Sequence, residues 1–159
     1  MSDMYELLVS ADLPGDLAGA EAGELRWHLG LGPRPERRVI VGEFPEAVIG
    51  DDGRPVQDGR GGLLVEDRPR ALLAQRGPAH RIGGALMAAM ERRPGGGWAL
   101  SARQEIHPDD RDLLDVLLLW LRTRSGGGPA FRCTARFCEE ESFEPLALPE
   151  PPAAARGTA

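Results

Sequence analysis

The sequence predicts an α+β domain in which an antiparallel sheet carries two helices on one face. The expected topology is ferredoxin-like, with insertions between the second strand and the third. Three observations carry this. Apolar and polar residues alternate along Tyr5–Leu13, Trp98–Ile106 and Phe131–Phe137, the period of a strand with one buried face. Helical stripes follow the first two of these strands. The two strand–helix stretches also echo each other: LVSADLPGDLAGAEAGELRWHLG and LSARQEIHPDDRDLLDVLLLWLRTR each run strand, then Pro with acidic residues, then a helix with Trp near its end. Paired strand–helix units suit a split βαβ arrangement.

In the first strand Tyr5, Leu7, Val9, Ala11 and Leu13 fall on one side and Glu6, Ser10 and Asp12 on the other, with Leu8 the exception. Pro14-Gly15 ends it. Ala18, Ala22, Leu25 and Leu29 then recur at the spacing of an amphipathic helix that stops near Gly30. Arg38–Ile49 contains Val39-Ile40-Val41 and Val48-Ile49, read as a short or bent strand interrupted by Pro45. Residues 50–62 are turn formers, and Leu63-Leu64-Val65 suits another short strand. Arg81–Arg93 has helix-favouring composition, but glycines and a proline flank it. It is read as one arm of a hairpin with Trp98–Ile106.

His107–Arg124 is the organising helix. Pro108 suits a first turn, where its missing N–H costs nothing. Asp109, Asp110 and Asp112 complement the positive end of the helix dipole, and Arg122 and Arg124 the negative end. Gly126-Gly127-Gly128-Pro129 stops it. Only Asp115 is polar between Leu113 and Leu121, so burial on more than one side is expected. The apolar run is too short and too closely flanked by charge to span a membrane.

With 159 residues, one domain over 1–148 is expected, followed by a Pro- and Ala-rich disordered tail over 149–159. The net charge of −6 and pI near 5.1 argue against nucleic acid and anionic membranes as partners. The acidic start MSDMYELLVS lacks the pattern of a secretory signal, and a cytoplasmic location is expected. All 19 basic residues are Arg. Without lysine there is no Schiff base, phosphate-loop or kinase-type lysine chemistry. Cys133 and Cys138 would point to opposite faces of one strand, which argues against a mutual disulfide and for reduced thiols.

No nucleophile elbow, HExxH, dinucleotide fingerprint or CxxC pair occurs. No cofactor and no metal is expected. His28, His80 and His107 are read as structural or surface residues. The polar faces of the three best strands carry Glu6, Ser10 and Asp12, then Ser101, Arg103 and Glu105, then Arg132, Thr134 and Arg136. On a ferredoxin-like sheet these share the face opposite the helices. One reading is a solvated surface of cross-strand ion pairs. The other is a ligand cavity, covered by a second subunit or the 81–93 segment. There Glu6, Arg103, Glu105, Arg132 and Arg136 would be the binding residues, the arginines clamping a carboxylate and a desolvated Glu6 or Glu105 acting as a base. The balance of the sequence is against an enzyme. It favours an interaction or accessory protein, a homodimer or bound to another protein. The alternatives are a cofactor-free cyclase, isomerase or oxygenase, or a small-ligand binding protein, using that polar face.

Overall fold

The computed structural model describes residues 4–74, 87–137 and 139–150. In chain order these form β1 (Tyr5–Leu13), α1 (Gly19–His28), β2 (Pro45–Ala47), β3 (Val65–Asp67), β4 (Met87–Arg92), β5 (Trp98–Ile106), α2 (Arg111–Ser125), β6 (Phe131–Phe137) and β7 (Glu144–Pro145). Five strands make one antiparallel sheet in the order β4-β5-β1-β6-β7; β2 and β3 make a separate two-stranded sheet.

The three alternating stretches become the three central strands, with the bounds that the alternation predicts. Register turns alternation into a face. Leu7, Val9, Ala11 and Leu13 stand opposite Gln104, Ala102, Leu100 and Trp98 on β5, while Val9 and Ala11 also face Cys133 and Phe131 on β6. Most of these side chains join one hydrophobic cluster with Leu25 of α1 and Leu114, Leu117, Leu118 and Leu121 of α2. The β4–β5 hairpin expected from the 81–93 segment forms from Met87 onward, while residues 81–86 lie outside the described residues. Its turn places Gly97 at φ 85°, with its backbone against the Leu13 carbonyl, a site where no Cβ fits.

The organising helix differs from expectation at its start and in its burial. Pro108–Asp110 is a 3-10 turn, and the His107 ring caps it by accepting from the Asp109 N–H at 3.1 Å. The α-helix then runs to Gly126, whose left-handed φ of 86° closes it. One stripe is buried rather than several faces: Val116 is 45% exposed, and Leu113, Leu119 and Trp120 are half-buried. Leucine density overstates burial because a helix lying on one sheet has only one partner surface. Arg111 and Asp115 form an i,i+4 ion pair at 2.7 Å, and Arg111 also donates to the Ala147 carbonyl at 2.9 Å, holding the chain after β7.

The insertion lies between α1 and β4, rather than between the second and third strands of the main sheet. Residues 38–44 are irregular, so the expected strand through Val39-Ile40-Val41 does not form. The reason is that their N–H groups are taken by a side chain, Glu24. The strand expected at Leu63-Leu64-Val65 begins instead at Val65. Between β2 and β3 a turn-rich arm is closed by backbone hydrogen bonds that link Val48, Val56 and Leu64 in a ring (2.8–2.9 Å). The tail expected from 149 lies, from 151 onward, outside the described residues, as do His80 and Cys138.

Candidate functional site

A strand buried on one face must present its alternate residues on the other, and pairing brings these together across β1. Glu6 stands opposite Glu105 on β5 and Arg136 on β6; Leu8 stands between Arg103 and Thr134; Ser10 stands between Ser101 and Arg132. All five residues singled out from the sequence therefore share one face, opposite the apolar cluster.

Within that face they separate into two groups. Glu6 is buried, and both of its carboxylate oxygens are occupied. Oε1 accepts from Arg103 Nε, and Oε2 accepts from Arg136 Nε at 3.1 Å and Nη2 at 2.8 Å. Burial pushes the Glu6 carboxyl up and is the largest single influence. The hydrogen bonds and charges of Arg103 and Arg136 together outweigh it and hold the group below its ordinary value. Arg136 is further fixed by its guanidinium lying 4.8 Å from the centre of the Phe143 ring. Glu105 is buried beside this cluster and is itself partnered.

The second group surrounds an open concavity of about 520 Å³, lined by Leu8, Ser10, Met87, Ser101, Arg103, Arg132 and Thr134 together with Val9 and Ala102. Arg132 is exposed and makes no hydrogen bond or ion pair with any described residue. Two guanidinium groups and three hydroxyls thus border a floor formed by Leu8 and Met87. Among the described residues the concavity is open rather than enclosed. Its hydroxyl lining follows from the same alternation that reveals the charged residues.

Sequence reasoning missed a second polar cluster, at the end of α1. Glu24 and His28 are both fully buried, one helical turn apart. Glu24 Oε1 accepts from the N–H groups of Val39 at 2.5 Å and Ile40 at 2.9 Å; Oε2 accepts from Val41 N–H at 2.8 Å and from His28 Nε2 at 3.2 Å. His28 Nδ1 accepts from Leu72 N–H at 3.3 Å, so the two bonds together select the tautomer protonated at Nε2. The ring lies against Trp27 and Phe44. Asp67 holds the other end of the same segment, accepting from Phe44 N–H at 2.8 Å and from Arg38 at 2.6 Å. With Glu24 and His28 fully buried and their side-chain acceptors and donor matched, this pair serves as a clamp that fastens residues 39–41 and 72–73 to α1. The i,i+4 spacing of Glu24 and His28 was the available signal, but their distant partners were invisible.

Among the described residues no group of three or more His, Cys, Asp or Glu is placed to hold a metal ion. No described helix is long and apolar enough to cross a membrane. Compared with protein-family models, curated proteins and solved structures, the chain matches none.

Proposed function

We propose that this chain is a non-enzymatic interaction protein that associates with a second copy of itself through the arm between β2 and β3. The observation that carries this reading is the exposure of four aliphatic side chains, three in the arm and one at the start of β3: Ile49 is 55% exposed, Leu63 55%, Leu64 40% and Val65 52%. Scattered apolar residues on a surface need no explanation, whereas a cluster in one short arm marks a contact surface. The chain's net charge of −6 disfavours long-range approach of two copies, so the contact must be made by apolar burial at this arm.

The scaffold proposed for this role is ferredoxin-like, with both helices on one face. In support, β4 and β6 run parallel to β1 and β5 respectively, each separated from its parallel mate by one antiparallel strand, as two interleaved split βαβ units require. Leu25 of α1 and the leucines of α2 share the cluster on the Leu7–Leu13 face. The two arginines on Glu6 favour binding over catalysis, because they hold its carboxyl below the ordinary value and so weaken it as a base. A cytoplasmic location accords with the free, buried thiol of Cys133.

The test is native mass spectrometry with sedimentation equilibrium on the full chain. Wild type is expected to be a dimer, and the double substitution Ile49→Asp with Leu63→Asp to be a monomer with unchanged far-ultraviolet circular dichroism. A wild-type monomer at about 100 μM, weaker than any functional dimer of micromolar affinity, refutes the reading. So does a dimer that survives both substitutions.

A further inference from the structure

The concavity on the polar face of the sheet is separate from the arm, and its chemistry identifies an occupant. We propose that it binds a small organic acid: one carboxylate held by Arg132 and the outer nitrogens of Arg103, and an apolar body lying on Leu8 and Met87.

Charge selects the sign of the ligand. Although the chain carries a net charge of −6, the described lining of this hollow contains two arginines and no carboxylate. Arg136, on the same face, is excluded from the site because Glu6 and the Phe143 ring immobilise it. Arg103 gives its Nε to Glu6, and this contact orients the guanidinium without using its Nη donors on any described residue. Arg132 uses none of its donors on described residues. A planar fork of this kind matches the two oxygens of a carboxylate.

Donor type narrows the ligand further. β1 is the central strand, paired on both sides, so its backbone N–H groups are committed to the sheet ladder. Among the described residues no helix N-terminus borders the hollow. Phosphate sites draw heavily on backbone N–H groups, and no described residue of the lining belongs to a helix N-terminus that would offer them. The side chains available are one unengaged guanidinium, part of another, and the hydroxyls of Ser10, Ser101 and Thr134. That set suits a single monoanionic head with a neighbouring polar atom.

Geometry gives the rest. Leu8 separates Arg103 from Thr134 and Ser10 separates Ser101 from Arg132, so the charged groups lie on the two strands that flank β1, in diagonal rows. With strands about 4.8 Å apart they bracket a patch roughly 10 Å wide. Met87, opposite Arg103 on β4, is 49% exposed and supplies an adaptable apolar part of the floor. The volume of about 520 Å³ lies in the range of small-molecule sites.

The test uses the full-length protein with sodium octanoate, 1-octanol, octylammonium chloride and sodium acetate as probes. Amide chemical shifts are followed in an NMR titration. Octanoate is expected to bind saturably and to move the amides of Ser10, Ser101 and Thr134. Octanol and acetate, each lacking half of the recognition chemistry, should bind at least tenfold more weakly, and octylammonium should not compete. Arg132→Gln should weaken octanoate by about 10- to 100-fold, the loss of one charge-assisted contact, while leaving the unliganded spectrum elsewhere unchanged. Ser10→Leu, which fills the floor, should abolish binding. Equal affinity for octanol and octanoate overturns the proposal, as do shifts confined to other regions or an Arg132→Gln variant that binds normally. A change in oligomeric state on Arg132→Gln without a change in octanoate affinity also overturns it, by making this face a contact between copies.

Discussion

Replacing Glu24 with Ala should be among the most damaging single changes in this protein. The carboxylate is fully buried and accepts four hydrogen bonds, three from backbone N–H groups and one from His28. Each bond to a charged acceptor contributes about 1.5–3 kcal/mol net, so the four together sum to roughly 6–12 kcal/mol. Removing the side chain recovers the cost of holding a carboxylate in the interior, several kcal/mol. The expected net loss is about 3–5 kcal/mol, against a total stability on the order of 5–15 kcal/mol for a domain. Urea denaturation read by tryptophan fluorescence measures it, since Trp27 packs on the His28 ring. The midpoint should fall with an unchanged slope.

Glu24→Gln should lose less, because one amide oxygen still accepts. The coupling between Glu24→Ala and His28→Ala should exceed about 1 kcal/mol, as the two share a bond. Acid supplies an independent check. Burial raises the Glu24 carboxyl most, but the bonds from His28, Val41, Ile40 and Val39 overcome it and hold the group below its ordinary 4.5. A depressed folded value means that the contribution is complete above pH 4.5 and is lost as pH falls through the folded value. The gap between wild type and Glu24→Gln should therefore be constant near neutrality and shrink in acid. A Glu24→Ala variant destabilised by less than about 1 kcal/mol, the net worth of one ordinary hydrogen bond, would refute the reasoning. It would mean that water reaches the 39–41 amides and the clamp is not closed.

Two further outcomes follow from single positions. Gly97→Ala should cost about 2–4 kcal/mol in the same assay, because φ 85° is unfavourable for a Cβ, which would also collide with the Leu13 carbonyl; a loss below about 0.5 kcal/mol would show that the hairpin turn relaxes freely. Burial pushes the Cys133 thiol up to about 12. In a Cys138→Ser background it should therefore resist a disulfide reagent at pH 8 until the protein is unfolded, and rapid labelling of the native protein would contradict its place in the core.

How much of this was legible beforehand depends on the range of the interaction. The period-two alternation of Tyr5–Leu13, Trp98–Ile106 and Phe131–Phe137 was strong enough to give both strand limits and facing residues. That is why Glu6, Arg103, Glu105, Arg132 and Arg136 could be assigned to one face in advance. The stop of α2 at Gly126 was equally local. Burial of α2 was misjudged because composition counts leucines but not the surfaces available to cover them, and Val116 was left outside. Val39-Ile40-Val41 has the composition of a strand, yet Glu24 captures its N–H groups, and a strand cannot form a ladder with donors already used.

The sequence by itself determined the elements whose signals lie within one turn or one pleat: three strands, two helices, the glycine stop after α2 and the polarity of each strand face. Only the tertiary structure decided which charges on that face are partnered. Arg103 and Arg136 reach Glu6 across 97 and 130 residues, and Arg132, two positions after Ala130 on β6, meets no acid at all among the described residues. That division is set by strand order and register, which depend on how the whole chain closes around its core. Local propensity distinguishes an arginine on a polar face from one in the interior; it cannot tell an arginine neutralised by a distant glutamate from one left to meet a ligand.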